Sequence, residues 1–163
     1  MIFATLEDFL ASQAWVNIKG KPLIVTSGGF SPCHKGHCRC LRDSAQLAHY
    51  YHGVFLVLVN GDGFLRRKTG REPFMKLDER LEIVDAIKGV DYAVGWEDES
   101  QTVVEALRQL KPTYFTKGGD RSSVDQVPEA EVCQEIGCQI LYGIGGADKV
   151  QSSSWLIKAS QGE

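Results

Sequence analysis

The stretch Val54–Asn60, VFLVLVN, is apolar at six consecutive positions and rich in β-branched residues. A strand with one wet face alternates apolar and polar side chains. A strand without that alternation must be covered on both faces, which is the condition of a parallel sheet between two layers of helices. Pro22–Ser27 (PLIVTS) is a second such run and ends in Gly28-Gly29. Tyr92–Trp96, Thr113–Thr116 and Cys138–Tyr142 read as three further strands. Between them lie segments with helical spacing. These are Lys35–His49 with Leu41, Ala45 and Ala48, and Leu77–Lys88 with Leu81, Val84 and Ile87. Gln101–Leu110 follows, stopped by Pro112, then Pro128–Ile136, stopped by Gly137, and Ser153–Ala159, opened by Ser152. The alternation predicts an α/β fold with a five-stranded parallel sheet and helices on both faces. Ile2–Ala14 is expected to be a short amphipathic helix, which makes residues 1–20 an N-terminal helical extension and 21–163 the main domain. Arg66–Lys76 is polar, contains Gly70 and Pro73, and is expected to be a mobile loop.

In a Rossmann-like sheet of this kind, ligands bind beyond the carboxyl ends of the strands. The assigned strands bring four segments there: Gly28–His37, Gly61–Lys68, Lys117–Asp120 and Val150–Ser154. The net charge of −3 gives no basic excess of the kind a nucleic-acid surface needs. A small anionic substrate needs only a local positive pocket. Glu7 and Asp8 stand where a secretory signal would be apolar, and no apolar run is long enough to span a bilayer. Five cysteines form no evident disulfide framework, so a cytoplasmic protein with reduced thiols is expected.

The most informative segment is Ser27-Gly28-Gly29-Phe30-Ser31-Pro32-Cys33-His34-Lys35-Gly36-His37. A strand enters it and a helix leaves it. Glycines let backbone N–H groups approach a ligand, and the positive end of the following helix favours an anion there. His34 and His37, three apart around the first turn, can face one ligand, and Gly36 leaves space beside them. Imidazoles so placed can stabilise charge that builds up during phosphoryl transfer.

The H-x-G-H pattern, with Gly-Gly-Phe-Ser-Pro before it, resembles the signature of the nucleotidyltransferase superfamily, with Ser31 where Asp is usual. The resemblance runs from about Pro22 to Ser160. Val59-Asn60-Gly61-Asp62 followed by the basic Arg66–Lys68 is similar to a strand end and basic loop of the sugar-phosphate members. Asp78-Glu79-Arg80 with Ile83 resembles their E-x-R-x-x-I helix start, and Val90–Val94 their next strand. Lys111-Pro112 through Lys117-Gly118-Gly119-Asp120 resembles the adenylyltransferase domain of ADP-heptose synthase, and Gln151–Ile157 the serine-rich start of its terminal helix. Glycerol-phosphate cytidylyltransferases share the plan. Their Arg-Thr-Glu-Gly lead-in is replaced here by Ala147-Asp148-Lys149-Val150, which favours the heptose-type branch.

The resemblance implies direct transfer of a nucleoside monophosphate from an NTP to a small phosphorylated acceptor, with Mg²⁺ carried mainly by phosphate oxygens and water. It assigns catalysis to His34, His37 and Lys68. It assigns nucleotide binding to Gly28, Gly29, Phe30, Ser31, Gly36, Lys117, Gly118, Gly119, Asp120, Ser152, Ser153 and Ser154. Asp62 and Arg80 are assigned to the acceptor or a phosphate. The first expectation is ATP with a heptose-type sugar 1-phosphate, the second CTP with glycerol 3-phosphate or a related polyol phosphate. A nucleotide-binding module without turnover is the non-enzyme rival, with Ser31 as its support. Cys33, His34, His37, Cys38 and Cys40 are of zinc-ligand type, but no second pair stands at zinc-finger spacing, and no protein-held metal is expected. Neither nucleic acid nor membrane is expected as a partner, and a homodimer is the general prior for assembly. Trp15, Trp96 and Trp155 read as packing anchors.

Overall fold

The computed structural model describes residues 1–119, 128–146 and 148–162. Its elements run β1 (Ile2–Phe3), α1 (Leu6–Ala11), α2 (Gln13–Ile18), β2 (Leu23–Gly28), α3 (Lys35–Tyr50), β3 (Val54–Asn60), α4 (Asp62–Thr69) and α5 (Leu77–Asp85). They continue through β4 (Tyr92–Trp96), α6 (Val104–Leu110), β5 (Tyr114–Gly118), α7 (Ala130–Ile136), β6 (Gln139–Ile144) and α8 (Ser153–Ser160). The six strands form one sheet in the order β1-β4-β3-β2-β5-β6, and every pair is parallel.

β3 sits inside the sheet, and all seven of its residues are buried. The pleat divides them. Val54, Leu56 and Leu58 pack with residues of α1, α2, α6 and α7. Phe55, Val57 and Val59 pack with residues of α3 and α5. β2 alternates likewise, with Leu23 and Val25 on the first face and Ile24 on the second. Its neighbours are β3 on one side and β5 on the other. The chain runs away from β2 in both directions across the sheet, so the crevice expected of an open α/β sheet opens at the end of β2.

Three expectations need correction. The sheet has six strands, not five, because Ile2–Phe3 is not helical. It pairs with β4 through Ile2↔Ala93 and Phe3↔Val94, and the helix starts only at Leu6, behind the Thr5 cap. A two-residue strand leaves no period to read. Leu6, Phe9 and Ile18 belong to the same core as β2 and β3, so that core runs across residue 20. Second, Arg66–Thr69 is not loop but the end of α4. Phe64 and Leu65 are buried and anchor the helix, and Gly70, at φ 73°, closes it in the left-handed region. Third, Trp155 is no packing anchor: half of it is exposed, with Lys149 Nζ 5.1 Å above its ring.

Candidate active site

A cavity of about 660 Å³ opens at the carboxyl end of the sheet, a size suited to a ligand rather than to a few waters. Its floor is the turn that follows β2. Phe30 takes a left-handed backbone, φ 52°, and is buried. This folds its ring back over Gly28, where a Cβ would stand 2.9 Å from the ring. A Cβ on Gly29 would stand 2.9 Å from the Leu65 side chain. A side chain at Gly28 would press on the Phe30 ring of the same turn, and one at Gly29 on Leu65 of α4.

His34 is the N-cap of α3. Its Nδ1 accepts the Gly36 N–H at 3.1 Å, and the His34 N–H donates to His37 Nδ1 at 3.3 Å. Each imidazole thus satisfies a backbone donor at the helix start. The rings stack with centroids 3.8 Å apart, and His37 also packs on Phe30 at 4.8 Å. Burial holds His34 below the usual imidazole value. Burial, and then the neighbouring His34, push His37 down to about 3. Both rings are neutral near pH 7. Because Nδ1 is the acceptor in both, the proton of each ring resides on Nε2. The pair therefore offers two Nε2–H donors at a helix N-terminus, and both residues line the cavity. Neither needs to carry a charge to bind an anion.

α8 contributes a second helix start. Ser152 Oγ accepts the Trp155 N–H at 3.1 Å, and the Ser153 hydroxyl donates to the Pro32 carbonyl at 2.7 Å, which ties α8 to the β2 turn. Ser152 and Ser153 line the cavity, and so do Gly28, Gly29, Phe30, Gly36, Lys68, Lys117, Gly118 and Gly119. Four expected residues are not on its wall. Ser31 Oγ accepts the Met75 N–H at 3.3 Å, and Ser154 shares a hydrogen bond with Ser152. Arg80 is fully buried: Nε donates to the Met75 carbonyl, Nη1 to the Gly29 and Asn60 carbonyls, and Nη2 to Asp62 Oδ1 at 2.7 Å. The phosphate role expected of Arg80 and Asp62 is thus not the one the geometry gives them. They pin the turn after β2 to the end of β3. Asp120 lies outside the described residues.

Sequence reasoning missed Asn60, Gln101, Val103 and Glu129, all on the cavity wall. Asn60 carried a signal, being the polar end of an otherwise apolar buried strand. Glu129 carried none beyond following Pro128. Among the described residues no group of three His, Cys, Asp or Glu side chains converges as a metal site.

Residues 25–143 match the model of the cytidylyltransferase-like family. The chain belongs to that family. Membership places it among nucleotidyltransferase enzymes. It is 33% identical over 149 residues to a protein named bifunctional protein HldE from Desulfatibacillum aliphaticivorans, covering 91% of this chain and 29% of that one. A protein of the same name from Aliarcobacter butzleri is 31% identical over 133 residues, covering 81% and 26%. The chain thus spans less than a third of these relatives. Among solved structures, the lipopolysaccharide core biosynthesis protein from Thermoplasma volcanium superposes with a TM-score of 0.58 at 22% identity, covering 76% of this chain and 95% of that one. That likeness concerns the fold. Among the described residues no helix is long and apolar enough to cross a membrane.

Proposed function

We propose that the protein transfers a nucleoside monophosphate from an NTP, ATP first, to a heptose-type sugar 1-phosphate and releases pyrophosphate. The observation that carries this reading is the stacked, neutral histidine pair at the start of α3, with both Nδ1 atoms engaged by backbone. An oxygen of the acceptor phosphate attacks the α-phosphorus, the bond to the β-phosphate oxygen breaks, and pyrophosphate leaves. The nucleophile is already an anion, so no general base is required. The work left to the protein is positioning and charge stabilisation. His34 and His37 donate Nε2–H to phosphate oxygens, the N-terminus of α8 offers N–H groups, and Lys68 on the last turn of α4 supplies positive charge. Gly118 and Gly119 flank the nucleoside. The similarity to the HldE proteins, which are ADP-heptose synthases, supports the choice of ATP and a heptose.

Mg²⁺ would arrive on the triphosphate. There it would keep most of its water and be held by phosphate oxygens. The test is pyrophosphate release with each of the four NTPs against heptose 1-phosphate, hexose 1-phosphates and glycerol 3-phosphate. Release is expected only when nucleotide and acceptor are both present. Release at an equal rate from NTP alone would make the protein a hydrolase, and CTP with glycerol 3-phosphate as the best pair would replace the heptose reading.

A further inference from the structure

The cavity straddles the carboxyl edge of the sheet, and the pleat decides which side chains fall on which side. Asn60 continues the Leu56, Leu58 alternation of β3 and so lies on the face of α6 and α7. Lys117 continues from Phe115 on the same face, and its Nζ stands 4.5 Å from the centre of the Phe115 ring. Glu129, just before α7, closes this lobe beside Gln101 and Val103. The histidine pair belongs to the other face, at the start of α3.

The chemistry of the α6–α7 lobe differs from that of the α3 lobe. Asn60 is 6% exposed and Glu129 5%. Asn60 Oδ1 and Glu129 Oε2 have no hydrogen-bond partner among the described residues. The Glu129 carboxylate is held in place: Oε1 accepts the Val103 N–H at 3.5 Å, and Oε2 is 3.6 Å from Lys117 Nζ, an ion pair longer than a hydrogen bond. Asn60 Oδ1 is open and Glu129 Oε2 has only the more distant ammonium; both atoms are acceptors, so what completes their hydrogen bonding must donate. An ionised triphosphate cannot do so, because it too is only an acceptor. Hydroxyl groups can. In-line displacement gives the direction: with the triphosphate at the helix start of α3, the attacking oxygen comes from the far side of the α-phosphorus.

We infer that Asn60 and Glu129 form the hydroxyl-recognising wall of the acceptor subsite, and that the acceptor is a polyhydroxylated phosphate ester whose carbon skeleton lies between α6 and α7. This inference rests on the nucleotidyl-transfer reading. It goes beyond that reading in naming the residues that select the acceptor.

The test measures pyrophosphate release with ATP or CTP for wild type, Glu129→Gln and Asn60→Leu, using heptose and hexose 1-phosphates, their deoxy analogues and glycerol 3-phosphate. A site built to bond a hydroxyl rejects the analogue that lacks it, so the KM for the acceptor should rise about tenfold or more in each variant. The KM for the nucleotide should stay within about twofold, since those atoms are not altered. Wild type should discriminate against one deoxy analogue by about a hundredfold, and Glu129→Gln or Asn60→Leu should erase most of that preference. A rise in nucleotide KM instead would hand these groups to the ribose and overturn the inference, as would an unchanged acceptor KM. Should a variant fail to fold, the wild-type deoxy series decides alone, and indifference to every hydroxyl overturns the inference. Wild type that turns over no acceptor would bring down the transferase reading and this inference with it. Turnover with unaltered acceptor KM in both variants would sink the inference only.

Discussion

Replacing Arg80 with methionine separates a structural clamp from a phosphate ligand. Methionine keeps much of the aliphatic stem and removes the guanidinium. Three backbone carbonyls, those of Gly29, Asn60 and Met75, lose a donor, and the Asp62 carboxylate loses its cation. A buried acceptor left unpaired costs about 1 kcal/mol or more, and a broken pair with a charged group about 2 kcal/mol. The sum is about 5 kcal/mol. Asp62 is about a quarter exposed and regains some water, so its share stays below the range for fully buried broken pairs. For a chain of this size that corresponds to a melting temperature lower by about 10–20 °C. Thermal unfolding followed by circular dichroism reads it directly. Because the clamp joins the turn after β2 to the end of β3, kcat should also fall, and nucleotide and acceptor KM should both rise. A melting temperature within about 2 °C of wild type, combined with a rise of tenfold in the KM of one phosphate substrate alone, would refute the reasoning. Arg80 would then be a ligand to substrate in spite of its burial.

His34→Asn and His37→Asn keep an acceptor near the position of Nδ1 and remove Nε2–H; each should lower kcat/KM by about 10²–10³-fold, with Tm changed by only a few degrees, as steady-state kinetics and melting on the same samples will show. Lys68→Ala should lower kcat more than it weakens nucleotide binding measured by calorimetry, and an unchanged kcat would leave Lys68 as solvated surface. The pKa of His37 is about 3 in the folded protein, below its unfolded value, so the unfolded state binds the extra proton. Stability should therefore be full above about pH 6.5 and fall as pH drops, by up to about 3 kcal/mol at pH 4 from this group; a stability–pH profile that His37→Asn does not flatten would contradict this. Since neutral rings are the donors, kcat/KM should show no alkaline decline between about pH 7 and 9, whereas an obligatory imidazolium would lose about tenfold per pH unit.

Much of this fold was legible because the long strands carry their burial in their composition. Val54–Asn60 and Tyr92–Trp96 stand where the sequence put them, since an apolar run between turn residues has few alternatives. The strand at Ile2–Phe3 was not legible, because two residues have no period and gain their pairing only from β4. The helix at Asp62–Thr69 was masked by its three basic residues, all exposed, while two buried residues, Phe64 and Leu65, hold it down. At the site, the glycine turn and the two histidines were readable because a strand–turn–helix pattern leaves them few other places. Arg80 was misjudged because a charged residue at a helix start reads as exposed, and only the assembled fold brings three carbonyls around it. Glu129 was unreadable for the opposite reason: its neighbours Lys117 and Val103 come from distant parts of the chain.

The alternation of the pleat at the strand ends also bears on how such an enzyme diverges. Thr26 and Thr116 face α3, where Thr116 shares a hydrogen bond with Ser44, while Ser27, Asn60 and Lys117 face α6 and α7. Adjacent codons thus write to opposite compartments of one cavity. A lineage can alter one compartment by substitution at alternate positions while the histidine pair and its helix stay as they are. An insertion of a single residue in β3 would exchange the two sets at a stroke and move its apolar side chains to the wrong layer. Libraries meant to change the acceptor should therefore vary positions 27, 60, 117 and 129 together and leave strand lengths untouched.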